Sequence, residues 1–145
     1  MNLVELLKKT LLNVESLRFA VVGVIATVLH YGIYAGLYYL FTNYTELRED
    51  WAYNISYTLG YVLSLIANIF LSFRWSFRTQ FTWLKTVKFL GCHVINYFLH
   101  IIFLNLFIWI GIHPLISPVL VYCIVVPINL LLVRRALKNT FLYDE

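Results

Sequence analysis

The chain has 145 residues, 61% of them hydrophobic and 12% charged, against about 45–50% apolar and about 25% charged in a soluble domain. Too little polar surface remains to cover a water-soluble core, and eleven Phe, eleven Tyr and four Trp exclude a disordered chain. The formal net charge of +4 comes from basic residues that flank apolar runs rather than forming a stripe, which points to anionic headgroups and not to nucleic acid. The composition is that of an integral membrane protein of one domain.

In chain order, residues 1–16 place Leu3, Val4, Leu7, Leu11 and Val14 at helical spacing, with Glu5, Lys8 and Lys9 elsewhere on the wheel. This predicts a short amphipathic helix lying on the cytoplasmic face. A bilayer core of about 30 Å needs about 20 mostly apolar residues in a helix. Four stretches qualify, 19–41, 51–73, 89–111 and 115–133, and none contains Asp, Glu, Lys or Arg. The first is too long for a cleavable signal peptide and lies behind a segment that includes Glu5 and Glu15. Tyr38, Tyr39, Phe41, Trp51, Tyr53, Trp75 and Trp109 stand near span ends, as an interfacial belt requires. Gly32-x-x-x-Gly36 in the first span is a close-packing pattern between helices. The fourth span is short and opens with Pro114 and Pro118, which suit a first helical turn, while Pro127 inside it predicts a kink. The expected organisation is an interfacial helix over 1–16, a four-helix transmembrane domain over 17–139 and a cytoplasmic tail over 140–145. Cys92 and Cys123 fall inside apolar runs without CxxC or Cys/His ligand spacing, so the expectation for both is buried packing.

Lys8, Lys9 and Arg18 precede the first span, Arg74, Arg78, Lys85 and Lys88 separate the second from the third, and Arg134, Arg135 and Lys138 follow the fourth. Arg48 alone lies on the other side, among Glu46, Glu49 and Asp50. The positive-inside rule therefore puts both termini in the cytoplasm.

The two halves repeat. Arg18-Phe19 matches Lys88-Phe89 and Leu29-His30 matches Leu99-His100 at an offset of 70, while Tyr61 pairs with Tyr122, Asn68 with Asn129 and Arg74 with Arg135 at an offset of 61. Each half is a helical hairpin, and both have the same orientation, which makes the repeat parallel.

Polar residues inside the spans share faces. Asn54, Tyr57, Tyr61, Ser64 and Asn68 follow steps of three and four along the second span. Thr27, His30, Tyr31 and Tyr34 do so in the first and His93, Asn96, Tyr97 and His100 in the third, while Tyr122 and Asn129 flank Pro127. At 1.5 Å per residue His30 and His100 lie about 16 Å from the cytoplasmic ends of their spans, and Asn68 and Asn129 about 6–8 Å. Such groups either line a watered path or bond helix to helix, at about 0.6 kcal/mol each. The sequence holds no Walker A loop, no HExxH, no metal-ligand cluster and no carboxylate within a span. The last absence argues against a small multidrug exporter, which exchanges protons on an embedded glutamate.

Arg18-Phe19-x-x-x-Gly23, Ala67-Asn68 followed by Phe73-Arg74-Trp75-Ser76-Phe77, and Ile128-Asn129 followed by Arg134-Arg135 resemble the GtrA-like family of four-span bacterial proteins over residues 17–139. The second half departs from that pattern, with Ala136-Leu137 in place of the aromatic pair. The resemblance implies flipping of a polyprenyl-phosphate-linked monosaccharide from the cytoplasmic to the outer leaflet of the bacterial inner membrane. It places the chain in surface polysaccharide, O-antigen or teichoic acid glycosylation, without an enzymatic step, a cofactor or a metal. On that reading Arg18, Arg74, Lys88, Arg134 and Arg135 would collect the lipid phosphate, since cationic forks bind phosphate oxygens, and Asn68 and Asn129 would assist its entry. The sugar would pass along His30, Tyr61, Ser64, His93, Asn96, His100 and Tyr122 while the polyprenyl tail stays in lipid. Four helices enclose little room, so a homo-oligomer is expected, working with a membrane glycosyltransferase. Two alternatives stand beside this reading: an adaptor that recruits a glycosyltransferase, and a small proton-coupled exporter using His30 and His100.

Overall fold

The structure, a computed structural model, describes Asn2, Glu5, residues 14–76 and residues 82–141, without the side chains of residues 15, 16 and 134–141. Four helices account for it: α1 (Val14–Tyr44), α2 (Glu49–Leu71), α3 (Trp83–Trp109) and α4 (Ser117–Phe141). No strand occurs among the described residues. Most of the interfacial helix expected over 1–16, the end of the expected tail and the Arg134 and Arg135 side chains lie outside the described residues.

Three segments are long and apolar enough to cross a membrane, Leu17–Tyr44, Glu49–Ser76 and Trp83–Trp109, and Ser117–Val133 is a shorter apolar fourth. The protein is a multi-pass, all-α membrane protein of four helices. Val24, Val28, Ile66, Phe98 and Ile102 are exposed, an arrangement that is stable only where hydrocarbon is the solvent.

Local chemistry sets the turns. Glu49 and Asp50 stand in the first turn of α2, where carboxylates meet the positive end of the helix dipole. The Thr82 side chain accepts from the Lys85 amide and caps α3. Gly111 ends α3 in the left-handed region at φ +97. The Gly111 N–H reaches the Ile108 carbonyl and the Ile112 N–H the Phe107 carbonyl, both at 3.0 Å, the double bond that closes a Schellman turn. Pro118 occupies the first turn of α4, but Pro114 lies in the turn before it. α4 runs on through Pro127, which sits on its exposed face.

The helices pack as two hairpins, α1 with α2 and α3 with α4, closed into a ring by contacts of α1 with α4 and of α2 with α3. The buried face of α1 carries Phe19, Val22, Ala26, His30, Tyr34 and Tyr38. Gly32 and Gly36 fall on the opposite, exposed side, where a Cβ on either would meet no other helix within 4 Å, so the expected close-packing face is not used inside the bundle. The close approach comes from α2, where Ala52, Ser56 and Gly60 form a buried row of small residues. A Cβ at Gly60 would stand 2.9 Å from His30 Cδ2 and 3.1 Å from the His30 carbonyl.

The cysteines depart from expectation as well. Cys92 is half-buried and Cys123 is exposed, because the inward face of α4 runs through Val121, Tyr122 and Val125. Tyr38 turns inward rather than joining an interfacial belt, and its hydroxyl donates to Glu49 Oε1 at 2.7 Å across the α1–α2 turn.

Candidate functional site: a polar cavity between the two hairpins

Inside the ring lies a cavity of about 50 Å³. α1 contributes Gly23, Ala26, Thr27 and His30, and α2 contributes Tyr61, Ser64, Leu65 and Asn68. His93, Asn96 and His100 enter from α3, and Tyr122, Val126 and Asn129 from α4. Three repeat-related pairs therefore meet in one place: His30 with His100, Tyr61 with Tyr122 and Asn68 with Asn129. The nine predicted positions His30, Tyr61, Ser64, Asn68, His93, Asn96, His100, Tyr122 and Asn129 all stand at this wall. The spacing that puts each set on one helical face brings four faces together when the hairpins close.

Hydrogen bonds fix much of the lining. His30 Nε2–H donates to the Tyr57 carbonyl at 3.0 Å, and the Tyr57 hydroxyl shares a 2.6 Å bond with His100 Nδ1. Tyr57 thus ties α1 to α3 through α2, a role that its place in the polar stripe did not reveal. The rings of His30 and Tyr122 approach to 5.4 Å between centroids, and those of Tyr61 and His100 likewise. The Tyr61 hydroxyl donates to the His93 carbonyl at 3.0 Å and accepts from Asn96 Nδ2 at 3.2 Å. Asn68 Oδ1 accepts from the Ser72 hydroxyl at 2.9 Å.

Ser72 opens a π-helical turn, Ser72–Ser76, that follows α2. The turn lies within the Asn68 to Phe77 stretch that carries the family resemblance in the second span. Wide turns of this type recur at functional sites. Here the turn leaves Phe73 buried and Arg74 exposed, the guanidinium 5.8 Å from the centre of the Phe70 ring.

Apolar layers bound the cavity at both ends. Toward the helix ends shared by the two termini, Phe19, Phe89 and Val133 form a buried cluster with Leu65, Ile69, Cys92 and Leu130 packed around it. Phe19 and Phe89 are themselves repeat-related, and the Phe89 ring lies 4.6 Å from that of His93. Toward the inter-helix turns, Tyr34, Tyr57, Leu104, Val121 and Val125 belong to a second cluster. That end is further tied by Tyr34 and Tyr31, which donate to the carbonyls of Pro114 and Leu115 at 2.7 and 3.0 Å, and by the paired amides of Asn54 and Asn105.

The cationic residues are set apart. Arg18 and Lys88 are half-buried and Arg74 is exposed, all beyond the Phe19–Phe89 layer, and none of the three lines the cavity. Lys85, in the first turn of α3, is 4% exposed, and only its place in the basic count marked it in the sequence. Gly23 stands out in the sequence only within the Arg18-Phe19-x-x-x-Gly23 pattern and nothing marks Ala26, because a small residue that makes room carries no polar signal.

The family described as GtrA/DPMS, transmembrane domain, matches residues 18–137. Neither a curated protein nor a solved structure matches the chain.

Proposed function

The chain belongs to the GtrA/DPMS transmembrane domain family, and on that premise we propose that it flips a polyprenyl-phosphate-linked monosaccharide across the bacterial inner membrane. The observation that carries this reading is the meeting of Asn68 with Asn129 and of His30 with His100 in one polar cavity within an otherwise lipid-facing bundle. Polar groups at such depth cost several kcal/mol when unsatisfied, and helix adhesion alone does not require four helices to turn theirs toward one space.

With the termini in the cytoplasm, Arg18, Arg74 and Lys88, joined by Arg134 and Arg135, hold the phosphate at the inner leaflet. The sugar enters between the hairpins past the Phe19–Phe89 layer and exchanges its water shell for the Tyr, Ser, His and Asn groups, while the polyprenyl chain remains in lipid. The protein acts as a carrier without making or breaking a covalent bond. Synthesis of the lipid-linked sugar inside and its consumption by a membrane glycosyltransferase outside drive the flow. Gly32 and Gly36 leave a small-residue face open to the lipid, which suits contact with a second copy.

Replacing Asn68 by Ala tests the reading in cells. Surface decoration is lost at unchanged protein level if the cavity carries the sugar. Decoration that survives Asn68→Ala together with Asn129→Ala, yet fails when the turns or tail are altered, identifies an adaptor instead.

A further inference from the structure

The two copies of the repeat have diverged where they face each other. At the offset of 70, His93 corresponds to Gly23 and Asn96 to Ala26, and all four line the cavity. At these two positions the first hairpin contributes the space, and the second contributes large polar side chains. His93 and Asn96 are each 4% exposed.

The proton arrangement here follows from one hydroxyl. Tyr61 has a single O–H, donated to the His93 carbonyl, which can only accept. With that proton on the carbonyl, the two nitrogens that also reach the Tyr61 oxygen, His93 Nδ1 at 3.1 Å and Asn96 Nδ2 at 3.2 Å, act as donors. A neutral histidine protonated on Nδ1 has a bare Nε2, and an asparagine that donates through Nδ2 keeps its Oδ1 as an acceptor. His93 Nε2 and Asn96 Oδ1 are both buried without a hydrogen bond, as are Asn129 Oδ1 and the Tyr122 hydroxyl, which can donate as well as accept. Among the described residues no Lys or Arg lines this space.

We infer that the cavity selects its ligand by charge: it takes an uncharged, hydroxyl-rich sugar and rejects an acidic one, with His93 Nε2, Asn96 Oδ1 and Asn129 Oδ1 accepting from the sugar hydroxyls. This inference rests on the carrier reading and names the substrate class for the same site. Three unfilled acceptors meet hydroxyl protons well, whereas a carboxylate on the sugar brings only further lone pairs and finds the Tyr122 hydroxyl, but no cation, to offset them. The lipid phosphate, which crosses with the sugar it carries, is met at the inner leaflet by Arg18, Arg74 and Lys88, and Asn129 serves the sugar rather than the expected phosphate role. Room for the ring depends on Gly23 and Ala26. The cavity as it stands holds only a few waters, so the hairpins separate to admit a hexose.

The test uses the full chain, labelled with ¹⁵N-histidine in nanodiscs and titrated with polyprenyl-phosphate-glucose or polyprenyl-phosphate-glucuronate. The His93 signal is identified by its loss in His93→Gln. The neutral lipid is expected to shift the His93 Nε2 resonance, and the acidic one to need at least tenfold more lipid for the same shift. Ala26→Asn, which fills the space opposite Asn96, should weaken the response to the neutral lipid at least tenfold. Equal responses to the two lipids, or no response to either, overturn the inference. Translocation of the same lipids in proteoliposomes is scored separately: a His93 shift without transport leaves the site standing and removes the carrier role. Transport without a shift does the reverse.

Discussion

The imidazoles of His30 and His100 lie 6.2 Å apart between ring centroids, although they belong to different hairpins and occupy the same position in each. Tyr57 joins them, its carbonyl accepting from His30 and its hydroxyl bonded to His100. The duplicated halves therefore share one interior rather than carrying a site each. A ligand held between them would meet both copies of the polar face at once, as the proposed carrier role requires.

The seat of His30 is set by the absence of a side chain at Gly60. Gly60→Ala places a methyl 2.9 Å from His30 Cδ2, and overpacking of this kind costs about 1–3 kcal/mol. Unfolding of the purified protein in detergent should show that loss, and a smaller one when Gly60→Ala is made in a His30→Ala background. An equal penalty in both backgrounds would place the strain elsewhere.

Much of this interior was legible in the sequence, and its limits have physical causes. Absence of charge over about 20 residues marks a span in any context, and matching His, Asn and Arg at fixed offsets exposes a duplication. Steps of three and four then give the polar face of each helix. What such spacing leaves open is which face meets which neighbour. Gly32 and Gly36 form the recognised packing pattern and face outward, while the Ala52, Ser56 and Gly60 row, a less conspicuous mixture, takes the close contact. Gly23 and Ala26 matter through the space opposite them, which exists only once α3 is in place.

The Phe19–Phe89 layer separates the cavity from the shared terminal end of the helices. Phe89 is fully buried and Cys92, half-buried, packs against its cluster. With Cys123 replaced by Ser, Phe89→Ala should raise the rate at which a membrane-impermeant maleimide modifies Cys92 by about tenfold in inside-out vesicles, since truncating a buried aromatic leaves a void. An unchanged rate would mean that this layer is not the barrier at that end.

The carrier proposal requires the hairpins to separate for a sugar to enter, and the Asn54–Asn105 amide pair, with bonds of 3.0 and 3.2 Å, spans the α2–α3 seam. Asn54→Cys with Asn105→Cys, in a chain whose two native cysteines are replaced by Ser, should stop translocation when joined by a short reversible thiol crosslinker. Reduction should restore it. Transport that persists through a complete crosslink would show that the seam does not open.

The most direct measurement is translocation itself. Purified full-length protein is reconstituted into vesicles with polyprenyl-phosphate-glucose, and sugar reaching the outer leaflet is read with an impermeant oxidant. The expected result is protein-dependent equilibration of the two leaflets without any ion gradient, reduced at least tenfold in the Asn68→Ala, Asn129→Ala double variant. Equilibration no faster than in protein-free vesicles, or equally fast in the double variant, would contradict it.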